Sequence, residues 1–154
     1  MNRDVYIIDE TEELITSLKN IFKFKRSFKF KNINIDELEE ELKNIPCLII
    51  VNEDTINLDA ATLCKTIRKD EDNTITPIIV ISSNEDDDHK VSVIKNQVEY
   101  YLSKPINEQV LGYTIENISR LLHVNRGASP LTGLPRKPSD TRGTEKKDYK
   151  ARRL

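Results

Sequence analysis

The first glycine in this chain of 154 residues is Gly112. No glycine-rich turn precedes the early helices, so loops that cradle a nucleotide phosphate through close backbone approach are excluded. Cysteine is nearly as scarce. Cys47 and Cys64 lack the CxxC spacing of metal or redox pairs and read as two reduced, buried thiols rather than a disulfide. His89 and His123 have no companions at ligand spacing, which argues against zinc. No apolar run approaches the roughly 18 residues of a membrane span. Met1-Asn2-Arg3-Asp4 leads straight into a strand pattern without an apolar leader. The expectation is a cytoplasmic protein with no membrane partner.

Charge is plentiful and unevenly placed. Of 24 Lys and Arg, nine lie in 125–154, against three of the 26 Asp and Glu, so that segment carries +6. Residues 1–124 keep 15 basic and 23 acidic groups, a net −8. An acidic body and a basic tail are different kinds of segment, and the boundary is drawn at 124/125. From Arg142 onward the tail shows no apolar periodicity and is expected to be disordered. Its charge suggests weak, salt-sensitive attraction to nucleic acid or to the acidic body. No base-reading motif accompanies it, so a solvated tail is the preferred reading and nucleic acid is not an expected partner.

Hydrophobic patterning organises the body. Leu48-Ile49-Ile50-Val51 is a continuous apolar run that stops at Asn52, as a central parallel strand covered on both faces does. Val5–Ile8, Ile78–Ile81 and Tyr100–Leu102 read as further strands, and the alternating Ser27–Lys31 as a half-exposed strand near a sheet edge. Between them lie helix patterns. The first follows Thr11, a candidate cap, with Leu14, Ile15, Leu18, Ile21 and Phe22 inward. The second opens at Asp36. The third runs from Leu58 or Asp59 to Lys69 with Ala60, Leu63, Cys64 and Ile67 inward. The fourth spans Asn84 to Asn96, acidic first and basic later, as suits a helix dipole. The last spans Asn107 to about His123 with Val110, Leu111, Thr114, Ile115, Ile118, Leu121 and Leu122 as its stripe; Gly112 weakens it modestly. Five strands alternating with five helices imply a five-stranded parallel sheet in a three-layer αβα sandwich with right-handed crossovers.

A parallel sheet gathers the carboxyl ends of its strands on one rim, where α/β folds place their chemistry. Asp9, Glu10, Asn52, Ser82 and Lys104 therefore converge. Two carboxylates suit a hard divalent cation; a lysine and a hydroxyl suit a phosphoryl group. Over about residues 3–123 these features resemble the receiver domain of two-component response regulators. Ile7-Ile8-Asp9-Glu10 is similar to that family's first strand with its acidic pair, which binds the metal. Pro77-Ile78-Ile79-Val80-Ile81-Ser82-Ser83 is similar to its fourth strand, with Ser82 at the Ser/Thr switch position. Tyr101-Leu102-Ser103-Lys104-Pro105 is similar to its fifth, with Tyr101 as aromatic switch. The resemblance implies the (βα)5, flavodoxin-like topology and a cis Lys104-Pro105 bond.

The departures from the family pattern carry the functional question. Counting back without gaps from Leu63-Cys64, the family's acceptor aspartate falls on Asn52, and an amide is neither nucleophilic nor charged. The second acid is Glu10 rather than Asp, and the loop's usual Pro and Gly are Ile56 and Ala60. With two carboxylates facing Lys104 instead of three, the rim is closer to balance without metal, so Mg²⁺ is expected to bind weakly or not at all. Lys104 resting on Asp9 or Glu10 would mark such a neutralised pocket. The implied function is a pseudo-receiver: a non-enzymatic signalling module that works without phosphorylation, through a protein partner or a second copy docked on helix 4, strand 5 and helix 5, with a histidine kinase left open. The rival is an active phosphoacceptor using Asp54, which a two-residue loop deletion would align. Finally, Pro130-Leu131-Thr132-Gly133-Leu134-Pro135 resembles the opening motif of diguanylate cyclase (GGDEF) domains, with Ser129 where that family has Asp. No Gly-Gly-acidic loop follows it, so the chain is expected to be at most a truncated regulatory part of such a cyclase, without cyclase activity.

Overall fold

The computed structural model describes residues 3–23 and 28–127, with side chains of the last helix described through Leu121. The cyclase-like motif and the basic tail, 128–154, lie outside the described residues, as does most of the tail's charge. The chain divides into two compact units, Met1–Ile115 and Glu116–Leu154. The first holds the sheet. The described part of the second is the later half of the final helix.

Five parallel strands form one sheet in the order β2-β1-β3-β4-β5. They are β1 (Asp4–Ile8), β2 (Lys29–Asn32), β3 (Leu48–Asn52), β4 (Ile78–Ser82) and β5 (Tyr100–Ser103). The helices are α1 (Glu13–Ile21), α2 (Leu38–Glu41, flanked by 3-10 turns), α3 (Ala60–Lys69), α4 (Asp87–Ile94) and α5 (Glu108–Gly127). The continuous apolar runs became the inner strands. Every residue of β3 and β4 is buried, because both faces are covered. The alternating segment became edge strand β2, half-exposed at every second residue.

Pleating sends alternate side chains to opposite faces. Tyr6, Ile8, Ile49, Val51, Ile78 and Val80 pack in one cluster with Leu38, Leu63, Cys64, Ile67 and Val93 from α2, α3 and α4 and with Leu42 from the 3-10 turn after α2. Val5, Ile7, Leu48, Ile50, Ile79 and Ile81 take the other face and are fully buried, as are Leu18 of α1 and Leu111 and Ile115 of α5. Burial at this depth stabilises by about 1.5–3 kcal/mol per large aliphatic side chain. It also pushes the Cys64 thiol up to about 12, an inert thiol; Cys47 and Cys64 are both buried and neither is in a disulfide.

The stripe expected for α5 is narrower than the sequence suggests. Leu111, Ile115 and Ile118 are buried, but Val110 and Leu121 are about half exposed. The buried line follows i, i+4, i+7, and those two lie some 80–100° to one side of it at ~100° per residue. Gly112 has a packing reason. A Cβ there would stand 3.2 Å from Cγ2 of Ile21, so α1 and α5 approach too closely for ordinary side-chain contact.

A polar staple closes the amino-terminal edge of the sheet. The Arg68 guanidinium donates to the carbonyls of Asn73 (3.0 Å), Thr76 (2.7 Å), Asn96 (3.3 Å) and Gln97 (2.6 Å), joining the end of α3 to the loops before β4 and β5. Asn73 and Thr76, both fully buried, are satisfied by each other and by the carbonyl of Leu42.

Candidate functional site

The register places the ends of β1, β3, β4 and β5 side by side. Ile8 pairs with Val51, Asn52 with Ile81, and Ser82 with Ser103. Asp9, Asn52, Ser82 and Lys104 therefore share one rim, as expected from topology. What each side chain does there differs in part from the sequence reading.

Asp9, 1% exposed, turns toward α1. Its Oδ1 accepts from the backbone N–H (3.1 Å) and hydroxyl (2.8 Å) of Thr11, and its Oδ2 from the N–H of Leu14 (2.9 Å). Burial alone would raise its pKa; the bonds from Leu14 and Thr11 outweigh that and hold the carboxyl below its ordinary value. Asp9 is thus the main cap of α1. Thr11, the expected cap, only accepts a longer bond from Glu13 N–H (3.3 Å), because Glu12 precedes the helix at φ 60°.

Glu10 is exposed, and its N–H donates to the Thr55 hydroxyl, which in turn donates to the Asn52 carbonyl. Asn52 is 6% exposed, and its Oδ1 is buried with no hydrogen-bond partner. Magnesium asks for near-octahedral oxygen ligands. Glu10 offers one exposed carboxylate, Asn52 a neutral amide oxygen, and Asp9 a carboxylate whose two oxygens are already engaged by Thr11 and Leu14, while the Asp54 carboxylate at the same rim is engaged by Lys104 and Ser83. That set is short of anionic donors for the ion.

Lys104 rests on neither Asp9 nor Glu10. Its Nζ stands 2.9 Å from Oδ2 of Asp54, so the contact that would have marked a pocket neutralised by Asp9 or Glu10 is replaced by one with Asp54. The 3-10 turn Glu53–Thr55 at the end of β3 carries Asp54 beyond the strand, within reach of both β4 and β5. The Ser83 N–H also faces that carboxylate, 3.2 Å from each oxygen. Slight burial acts to raise the Asp54 pKa, but Lys104 and Ser83 outweigh it and the net shift is downward. Lys104 and Asp54 side chains are each 29% exposed, so solvent screens the pair only in part.

The turn after β4 is tied from several directions. Ser82 is fully buried; its Oγ accepts from Asn84 N–H (3.0 Å), and its carbonyl accepts from Lys104 N–H (3.1 Å). Tyr101 packs against the core cluster and its hydroxyl donates to the Asn84 carbonyl at 2.7 Å. Burial pushes that hydroxyl above its ordinary pKa. The Lys104-Pro105 peptide is cis, as the resemblance implied.

His89 has companions that sequence spacing hides. Its Nε2 lies 2.8 Å from Oε2 of Glu53 and its Nδ1 3.8 Å from Asp59. Glu53 also accepts from the Ala60 N–H, so it caps α3 in place of Asp59 and links it to α4. Thirty-six residues separate Glu53 and His89 in sequence, and no local signal joins them.

The response regulator receiver domain family matches residues 5–116. No curated protein matches the chain. Among solved structures, the signal receiver domain of a two-component histidine kinase from Clostridium thermocellum is similar at TM-score 0.67 and 19% identity, covering 78% of this chain and 99% of its own. A CheY-like receiver domain protein from Methanospirillum hungatei is similar at TM-score 0.69 and 15% identity, covering 81% and 99%. A chemotaxis response regulator of Vibrio cholerae follows at TM-score 0.66 and 15% identity, covering 77% and 99%. At these identities the likeness shows the fold. Among the described residues no helix is long and apolar enough to cross a membrane. The family match spans most of the chain and the five-stranded parallel sheet agrees with it, so the chain belongs to the response regulator receiver domain family of two-component signalling.

Proposed function

We propose that this receiver works without phosphorylation, as a pseudo-receiver that signals through protein–protein contact. The observation that carries the reading is Asn52: a neutral, buried amide at the tip of the central strand, where the resemblance places the family's acceptor carboxylate. An amide oxygen carries no negative charge to attack a phosphoryl donor. The lysine that would greet a phosphoryl group is engaged by Asp54, and Asp9 is engaged by α1. Magnesium, by the same count, binds weakly. Exposed apolar side chains mark a contact surface: Val91 and Ile94 on α4, Tyr100 on β5, Val110 and Tyr113 on α5. They suit a protein partner or a second copy. The segment 129–135 leaves open that such a module served a cyclase.

A second reading has one observation in its favour. Asp54 is more exposed than Asn52 and touches Lys104, so it has the access and the cation that an acceptor needs. One assay separates the two. The chain is incubated with acetyl phosphate and Mg²⁺ and its intact mass recorded. No phosphate is expected on the wild type. An acid-stable, alkali-labile phosphate that disappears in Asp54→Ala would establish Asp54 as acceptor and overturn the pseudo-receiver.

A further inference from the structure

Lys104 Nζ and the Ser83 N–H converge on one point, and both are donors that favour negative charge. Together they make a seat for one anion at the junction of β3, β4 and β5. In this structure the seat is taken by the chain itself. We propose that Asp54 is a tethered anion: its carboxylate fills the seat and thereby holds the turn from Ser82 to Asn84 in a single conformation, with Tyr101 docked on it. The inference rests on the pseudo-receiver reading, since an acceptor aspartate would have to leave that seat to react.

Three features support it. First, the neighbouring alternatives are engaged elsewhere. The oxygens of Asp9 are engaged by Thr11 and by Leu14 of α1, and Asn52 brings no charge. Second, the contact is made to consecutive turn residues. Asp54 accepts from the N–H of Ser83, Ser82 Oγ accepts from the N–H of Asn84, and the Asn84 carbonyl accepts from Tyr101. Displacing any one of the three shifts the other two, because they sit on three consecutive peptide units. Third, Lys104 is fixed at both ends. Its backbone N–H donates to the Ser82 carbonyl while its ammonium meets Asp54, so the cation and the turn move as a unit. A tetrahedral oxyanion of the phosphate class would find these donors already satisfied, and would have to expel a carboxylate whose local concentration the tether keeps high.

The test is amide NMR on the full chain, comparing wild type with Asp54→Ala and the near-isosteric Asp54→Asn. Inorganic phosphate is the probe, titrated at constant ionic strength. In the wild type the Ser83 amide resonance is expected to follow a single titration at acid pH, that of Asp54, and to ignore millimolar phosphate. Both variants are expected to shift the Ser83 and Asn84 amides and the Tyr101 ring, and to bind phosphate at least tenfold more tightly. Turn resonances unchanged in both variants would overturn the inference, as would equal phosphate affinity in wild type and variants. Either outcome leaves the pseudo-receiver standing if the mass assay shows no phosphorylation. Conversely, phosphate incorporation at Asp54 would refute both.

Discussion

Placing a carboxylate at the tip of β3 is the most direct challenge to the electrostatic account of the rim. In Asn52→Asp, the new carboxyl stands beside Asp9, since Ile8 pairs with Val51 and the next residues are level on neighbouring strands. Strands lie ~4.8 Å apart, so the two charges come within about 5–6 Å. At an effective dielectric of ~20 their repulsion is about 3 kcal/mol. Asp9 stays ionised at neutral pH because its helix-capping bonds hold its pKa down, so the repulsion is present in full. Partial protonation of the new Asp and relief from Lys104 reduce the net cost to about 1–3 kcal/mol. At ~4 °C per kcal/mol for a domain near 100 residues, Tm falls by roughly 4–12 °C in EDTA. A divalent cation then has three carboxylates to join. If Kd reaches ~0.1 mM, then ~10 mM Mg²⁺ returns about 2.7 kcal/mol. The wild type, one charge short, should gain under about 0.5 kcal/mol at the same concentration. The assay is thermal unfolding by circular dichroism in EDTA and in Mg²⁺. A wild-type Tm that rises with Mg²⁺ as much as the variant's would refute the charge count. So would a variant that loses no stability in EDTA.

Two further outcomes follow from the same structure. Arg68→Ala removes the donors of four backbone carbonyls that converge from two loops, and should cost about 2–4 kcal/mol by denaturant titration; a cost under about 1 kcal/mol would mean those loops are held by something else. Asp9 has a folded pKa below its unfolded value, so its stabilisation is complete above the ordinary carboxylate range and is lost as pH falls through the lowered folded value, below about pH 4. Asp9→Asn should flatten the acid limb of a stability-versus-pH curve, and an unaltered limb would show that the helix cap does not carry it.

What the sequence made legible was whatever depends on backbone pattern. Ile49–Val51 and Ile78–Ile81 announce buried inner strands because nothing polar interrupts them, and alternation in β2 announces an edge. Topology then delivers the rim, since parallel strands have only one carboxyl end each. Side-chain reach is not legible in the same way. Asp54 stands two residues past the strand, and only the 3-10 turn at Glu53–Thr55 brings it to Lys104. A residue count gives no sign that its side chain meets Lys104. Asp9 itself carries no sequence mark of a cap, because Glu12 in the left-handed region displaces the usual capping position by several residues. His89, in the first turn of α4, meets Glu53 of the turn after β3 through the fold rather than through spacing.

A tethered carboxylate and a transferred phosphoryl group differ in how strongly they commit the same turn. A phosphoryl group brings about −1.5 to −2 charge and three acceptor oxygens. Asp54 brings one charge, and solvent reaches nearly a third of its side chain. An exposed ion pair contributes up to about 1 kcal/mol, and hydrogen bonds to a charged group about 1.5–3 kcal/mol. Together these bias the turn by roughly ten- to a thousandfold at 1.4 kcal/mol per decade. The seat contacts therefore favour the conformation with Tyr101 on Asn84 without the commitment a phosphoryl dianion would impose. A partner that reads the Tyr101-docked turn must, by reciprocity, strengthen the Asp54–Lys104 contact by the factor that contact strengthens its own binding. On the pseudo-receiver reading proposed above, the rim acts as a fixed offset on partner affinity, set by one side chain, rather than as a switch thrown by chemistry.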